Sequence, residues 1–185
     1  VLGQENFTDK LEATTIDGMR RPIGVFWDSN NLYVADSGNN RVLVFDVTGI
    51  VNGEDAQYVL GQPDFTTATS QTTQAKLASP SGLTVNSNKL YVSDEGNNRV
   101  VLFDVRANGS DDFTLCGTTT NGVESGMDIS CVLGQENYTD STPNTLIDGL
   151  YEPDGLAYNT STNKLFVTDT MNHRVMIFNV AEIIN

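Results

Sequence analysis

The apolar residues of this chain fall in short runs, each bounded by clusters of Gly, Asn, Ser and Asp. Three runs, Leu32–Asp36, Leu90–Asp94 and Leu165–Asp169, are each followed, after the turn SGNN, EGNN or TMNH, by another: Arg41–Val47, Arg99–Val105 and Arg174–Val180. Both sets (LYVA, VLVF, VMIF) are continuously apolar instead of alternating, which is the mark of strands covered on both faces. Turns this short demand antiparallel neighbours and exclude a parallel solenoid. A further strand starts at each P-x-G element (Ile23–Asp28, Gly82–Asn86, Gly155–Asn159), and a fourth at VLGQ (Val59–Gln62, Val132–Gln135). Small four-stranded antiparallel sheets covered on both faces are what a β-propeller makes of its blades. The pattern therefore predicts an all-β chain of β-propeller blades, three per chain.

The strands belong to an internal repeat. RPIGVFWDSNNLYVADSGNNRVLVFDV (Arg21–Val47), SPSGLTVNSNKLYVSDEGNNRVVLFDV (Ser79–Val105) and EPDGLAYNTSTNKLFVTDTMNHRVMIFNV (Glu152–Val180) are copies of one unit. Pro22 and Pro80 lie 58 residues apart and Pro80 and Pro153 lie 73 apart, the surplus falling in residues 106–131. The reading is one segment, 1–185, with blade 1 at about 22–62, blade 2 at about 80–135 carrying the 106–131 insertion, and blade 3 at about 153–185. P-x-G-[IL] followed by LYVAD, SGNNR and VLVFD resembles the NHL repeat, and the resemblance recurs over nearly the whole chain. It implies a propeller, usually six-bladed, in a family that includes RNA-binding modules, amidating lyases and many secreted proteins. The third copy departs from the pattern, with Thr170-Met171 in the turn and His173 in place of Asn.

A third VLGQ, Val1, Leu2, Gly3 and Gln4, opens the sequence, while none follows the third copy. A propeller needs about four to eight blades to close, and three subtend only half of a six-bladed ring. The third blade then exposes a row of backbone donors and acceptors beside Val175, Ile177 and Phe178, an edge that invites pairing. The expectation is strand donation: Val1–Gln4 of one chain completes blade 3 of another. The product is a homo-oligomer, either a dimer closing a six-bladed ring or a head-to-tail fibre. The alternative is a sequence cut from a longer propeller at a repeat boundary, and the opening Val in place of Met points to processing or excision.

Composition narrows the partners. Asp and Glu number 24 against 10 Lys and Arg, a formal charge of −14, so no nucleic-acid and no membrane partner is expected. No apolar run approaches the roughly 18 residues a membrane helix requires. Cys116 and Cys131 bracket a Gly/Thr/Asn-rich stretch, as a disulfide clip on a surface loop would, and the expected compartment is extracellular or cell-surface. That loop is expected on the face opposite the connections that follow VLGQ. Asn6, Asn108, Asn137 and Asn159 begin sequons for glycosylation.

The chemistry is sparse. Asp36 and Arg41, Asp94 and Arg99, and Asp169 and Arg174 recur at one spacing across each turn, so they are read as structural pairs, since a catalytic residue has no reason to recur in every blade. Gly24, Gly82 and Gly155 of P-x-G read as close backbone packing near the axis. His173 is the single histidine, so a His-based zinc site of the kind the family's lyases use cannot be assembled within one chain. Seventeen residues join each VLGQ to the next P-x-G, whereas about 14 Å of crossing needs only about five extended residues. Phe7, Phe65 and Tyr138 share one position in these connections and are expected to anchor them. Two function classes stay open: a non-enzymatic extracellular module for a protein or glycan ligand, in the limit a fibre subunit, without cofactor; and a lyase- or lactonase-type enzyme with Asp28, Glu152 and Asp154 around an axial Ca²⁺.

Overall fold

A computed structural model describes residues 1–106, 113–115, 118–120 and 122–181. Two sheets have four strands and a third has three. The first is β1 (Pro22–Asp28), β2 (Asn31–Asp36), β3 (Arg41–Asp46) and β4 (Tyr58–Leu60), in that spatial order. The second is β5 (Pro80–Asn86), β6 (Lys89–Asp94), β7 (Arg99–Asp104) and β10 (Cys131–Leu133). The third is β11 (Pro153–Asn159), β12 (Lys164–Asp169) and β13 (Arg174–Asn179), and all pairings are antiparallel. These are propeller blades, with the third lacking its outer strand among the described residues. Within residues 106–131, β8 (Phe113–Leu115) and β9 (Thr118–Thr120) form a separate hairpin, where the sequence suggested only a loop.

The inner strands lie side by side, β1 against β5 and β5 against β11. A cluster including Val42, Val44, Leu83, Leu90 and Phe103 seals blade 1 onto blade 2. A second, with Val100, Leu102, Leu165 and Val167, seals blade 2 onto blade 3. This double-sided covering is why the middle strands read as unbroken apolar runs. Two of the P-x-G glycines, Gly24 and Gly82, pack as expected. A Cβ on Gly24 would stand 2.1 Å from the Ser81 carbonyl oxygen, and one on Gly82 would stand 2.0 Å from that of Asp154.

The insertion departs from expectation. Its described end, residues 122–130, runs along the outer edge of blade 1: Gly126 N–H donates to the Val59 carbonyl and Ser125 Oγ accepts from Val59 N–H. Ile129 N–H also reaches the Gln74 carbonyl, so this part touches a 17-residue connection and does not stay on the opposite face. The cause is the edge itself, because β4 has outward backbone groups that need partners. Cys116 and Asn108 lie outside the described residues.

Gly82→Ala should cost about 1–3 kcal/mol, the usual penalty for overpacking, because its Cβ meets backbone that cannot swing away. Urea unfolding of the variant beside the parent checks this; an unchanged midpoint would contradict the tight contact between inner strands.

Candidate functional site

The turn between the second and third strands of each blade is a short 3₁₀ segment (Ser37–Asn39, Glu95–Asn97, Thr170–Asn172) ending on a residue in the left-handed region: Asn40 at φ 54°, Asn98 at 53° and His173 at 52°. Asn adopts this conformation more readily than other non-glycine residues. Beneath the turn lies the repeated acid–base pair. Asp36 Oδ2 accepts from Arg41 Nε at 2.7 Å and from Asn39 Nδ2 at 2.8 Å, while its Oδ1 accepts from Arg20 N–H at 2.6 Å. Arg41 spends its remaining donors on carbonyls of the connections, at Thr15, Gly18 and Phe65. Blade 2 repeats the set: Arg99 binds Asp94 and the carbonyls of Thr73, Lys76 and Tyr138. Both pairs are fully buried. Burial pushes the Asp94 carboxyl up, against the pull of Arg99 and of its hydrogen bonds to Ala78 N–H and Asn97. These pairs are the pins that hold long connections onto blades, and Asn39, Asn97 and Asn172 belong to them. The doubled Asn in SGNN and EGNN was the signal for that role.

Blade 3 departs from this pattern. Arg174 binds Asp169 and the carbonyls of Thr145, Leu146 and Gly149, but the contact matching Phe65 or Tyr138 is missing, and the side chain is 31% exposed. Val175 and Ile177 are exposed by 58% and 55%, whereas their counterparts Val42, Val44, Val100 and Leu102 are buried. A Cβ on Gly155 would meet only Thr168, at 3.3 Å, where Gly24 and Gly82 meet the next blade. At the other end of the chain, Ile23, Val25 and Trp27 on β1 stand exposed, whereas Ser81 and Leu83 at the matching positions of β5 are buried against blade 1. The two end faces are therefore apolar and unlike, one made from β13 and the other from β1.

Val1–Gln4 lies on the rim of blade 1 as VLGQ lies on the rim of blades 2 and 3. Gly3, Gly61 and Gly134 have φ of 81°, 78° and 89° and press against Met19, Leu77 and Leu150. Gly53 N–H donates to the Val1 carbonyl as Gly126 N–H does to Val59. Gln4 Nε2 donates to the Leu11 carbonyl as Gln62 does to Thr69 and Gln135 to Thr142. Leu2 packs onto the outward cluster of blade 1, with Val34, Leu43 and Phe45. It lies as an outer strand clamped on one side, and among the described residues no strand pairs with its inner edge.

The remaining site residues are scattered. Asp28 ends β1 at the turn opposite Asn31, whereas Asp154 stands near the start of β11, beside Pro153 and its partner Asp169. Inner strands are seven residues long, about 20 Å at 3.3 Å per residue, so Asp28 does not join Glu152 and Asp154. A carboxylate the sequence reading overlooked does: burial, then Asp154 and Glu152, push Glu95 up. Among the described residues no group of three or more His, Cys, Asp or Glu is placed to hold a metal ion. Phe65 and Tyr138 pack into the blades as anchors, but Phe7 is 82% exposed. Asn6, Asn137 and Asn159 accept backbone N–H groups two and three residues on, as exposed Asx turns. Asp64, at the position of Asn6, does the same through its carboxylate, which Thr66 and Thr67 pull down to about 2.

The NHL repeat model matches residues 20–45, 77–103 and 150–178, one match per blade. No curated protein matches the chain. NHL repeats of this kind suggest a propeller-type protein-interaction module.

Asp94→Asn should cost about 3–5 kcal/mol, the usual result of stranding a buried cation, and Asp169→Asn distinctly less because Arg174 retains solvent. Equal losses in chemical denaturation would contradict the difference in burial.

Proposed function

We propose that this chain, built from three NHL repeats, is a non-enzymatic interaction module that assembles through its ends, with Val1–Gln4 of one copy serving as the outer strand of blade 3 in a second copy. The observation that carries this reading is the clamped VLGQ beside an unfilled inner edge, set against a third blade with an inner edge and no outer strand. The repeat supplies the register. Leu60 faces Val42 and Val59 faces Leu43, as Leu133 faces Val100 and Val132 faces Val101. Leu2 therefore faces Val175 of the other copy, and Val1 faces Met176. The same docking lays Val175 and Ile177 against Ile23, Val25 and Trp27, and each side chain so buried contributes about 1.5–3 kcal/mol. Two copies joined twice make six blades in a closed ring; a rotation that fails to close makes a head-to-tail fibre.

Charge opposes the assembly. Each copy carries −14, so the repulsion between copies falls as salt shortens the screening length from about 30 Å at 0.01 M to about 8 Å at 0.15 M. The reading extends to an extracellular or cell-surface location with a disulfide between Cys116 and Cys131. The spacing of the two cysteines around a polar stretch supports that, and mass spectrometry of unreduced protein should find no alkylatable thiol.

Sedimentation velocity of the 185-residue chain should show a concentration-dependent dimer that strengthens between 0.01 and 0.15 M salt. Gly155→Val should remain folded, since its Cβ would meet only the Thr168 side chain, at 3.3 Å, which can turn aside by a few tenths of an ångström, yet stay monomeric, because the valine would collide with the Ile23 carbonyl of the incoming copy. A parent chain that is monomeric at every concentration, or a Gly155→Val chain that dimerises like the parent, overturns the reading.

A further inference from the structure

We infer that His173 and Phe7 are the paired plugs of the joint between copies, and that His173 makes the joint sensitive to pH. The inference rests on the assembly reading and adds the residues that lock it.

The two joints within the chain show what a finished joint contains. Asn40 sits in a socket: its Oδ1 accepts from Ser79 N–H at 2.9 Å, its Nδ2 donates to the Ala68 carbonyl at 2.9 Å, and its own carbonyl accepts from Gln62 Nε2 at 2.9 Å. Asn98 repeats all three contacts with Glu152, Ser141 and Gln135. The matching positions at the beginning of the chain are Arg21, Lys10 and Gln4, and these three residues line one recess of about 330 Å³ together with Met19 and Pro22. The residue that would enter it is His173, held at the same left-handed angle as Asn40 and Asn98 and exposed.

The second plug follows the same way. Phe65 packs on the cluster holding Phe45, and Tyr138 on the cluster holding Phe103. The third phenylalanine of that set, Phe178, lines a recess of about 380 Å³ with Gly134, Gln135 and Leu146. Phe7 of a second copy is the ring that corresponds to Phe65 and Tyr138. Seating it also brings its carbonyl to Arg174, supplying the guanidinium contact that Phe65 gives Arg41 and Tyr138 gives Arg99.

Histidine in an asparagine position carries a chemical consequence. Like an amide, a neutral imidazole offers one acceptor and one donor separated by a single carbon, so it can take the Arg21 N–H and give to the Lys10 carbonyl. An imidazolium has only donors, and the Arg21 N–H would be left buried without an acceptor. Lys10, Glu12 and Arg21 face the histidine from the socket, with Asp169 and Arg174 on its own hairpin. Among side chains of these kinds only imidazole exchanges a proton between pH 5.5 and 7, and an α-amino group such as that of Val1 does so above this range. The neutral form docks, so the joint weakens as pH falls through that range.

The test is the dimer dissociation constant of the intact chain at pH 7.0 and pH 5.5, measured by sedimentation for parent, Phe7→Ala and His173→Asn. Both side chains are exposed in the single copy, so neither change should unfold it, and thermal melts at dilute concentration verify that. The parent dimer has two such joints and should bind about a hundredfold more weakly at pH 5.5, about tenfold for each buried hydrogen bond lost. His173→Asn restores the residue of the other blades and should dimerise equally at both pH values. Phe7→Ala empties both joints and should weaken the dimer about ten-thousandfold or more, about a hundredfold for each buried aromatic ring lost. If the parent dimerises and Gly155→Val does not, yet Phe7→Ala binds like the parent or His173→Asn keeps the pH dependence, the plugs are wrong while the assembly stands. A parent monomeric at both pH values overturns both.

Discussion

The outer strand of blade 1 is held from two sides by different parts of the repeat, and the rest of the architecture depends on that arrangement. Its inner edge pairs with the third strand of its own blade, as β4 does with β3. Its outer edge is capped by the connection entering the next outer strand, through Gly126 on Val59 and Gly53 on Val1. A blade is thus finished only when its successor is in place. The left-handed glycine after each outer strand turns the chain onto the next blade, and the buried Asp–Arg pair of the earlier blade then pins the connection that follows, as Arg41 pins Phe65. Order passes from blade to blade in the manner of repeat proteins, where each unit is stabilised chiefly by its neighbours.

From this follows a molecule with two unlike ends. Among the described residues, one end has an outer strand with no sheet paired to its inner edge, and the other a sheet of three strands. The exposed apolar residues concentrate at both: Ile23, Val25 and Trp27 on one, Val175 and Ile177 on the other. The buried pairs in blades 1 and 2 are complete, and the pair in blade 3 is partly open to water. Contacts repeated twice and interrupted the third time define a surface more sharply than its hydrophobicity does, because each missing contact has a known form. The proposed closure is opposed by the strongly acidic balance of the chain, −14 per copy, so under that proposal ionic strength controls association.

The strands and their grouping were legible in the sequence because burial on both faces writes itself as unbroken apolar runs, and because the unit is repeated. The glycines of P-x-G were legible for the same reason, since only a backbone contact explains a glycine kept at one place in every copy. Other features depended on position in three dimensions. Asp28 and Asp154 look alike on paper, but an antiparallel blade sends them to opposite ends of the inner strands. Phe7, Phe65 and Tyr138 share a sequence position, yet a ring packs only against a blade, and among the described residues none stands beside Phe7. Residues 122–130 looked like loop and serve as the cover of an edge strand, a role set by the unsatisfied backbone of β4. His173 stood out in the sequence only as a departure of the third copy, because the contacts made at that position in blades 1 and 2 come from residues 22 to 54 positions away.

The central claim is that Val1–Gln4 belongs to the third blade of another copy in a defined register. The most direct measurement is disulfide cross-linking between two differently labelled chains, one carrying Leu2→Cys and the other Val175→Cys, with the linked peptides identified by mass spectrometry after mild oxidation. Opposed residues in an antiparallel pair place their Cβ atoms about 4.5–5.5 Å apart, close enough for exchange-driven oxidation to join them. The account predicts a covalent dimer whose linkage runs from residue 2 of one chain to residue 175 of the other. Chains that remain unlinked while associating, or that link equally well when the first cysteine is moved to residue 5, would contradict it.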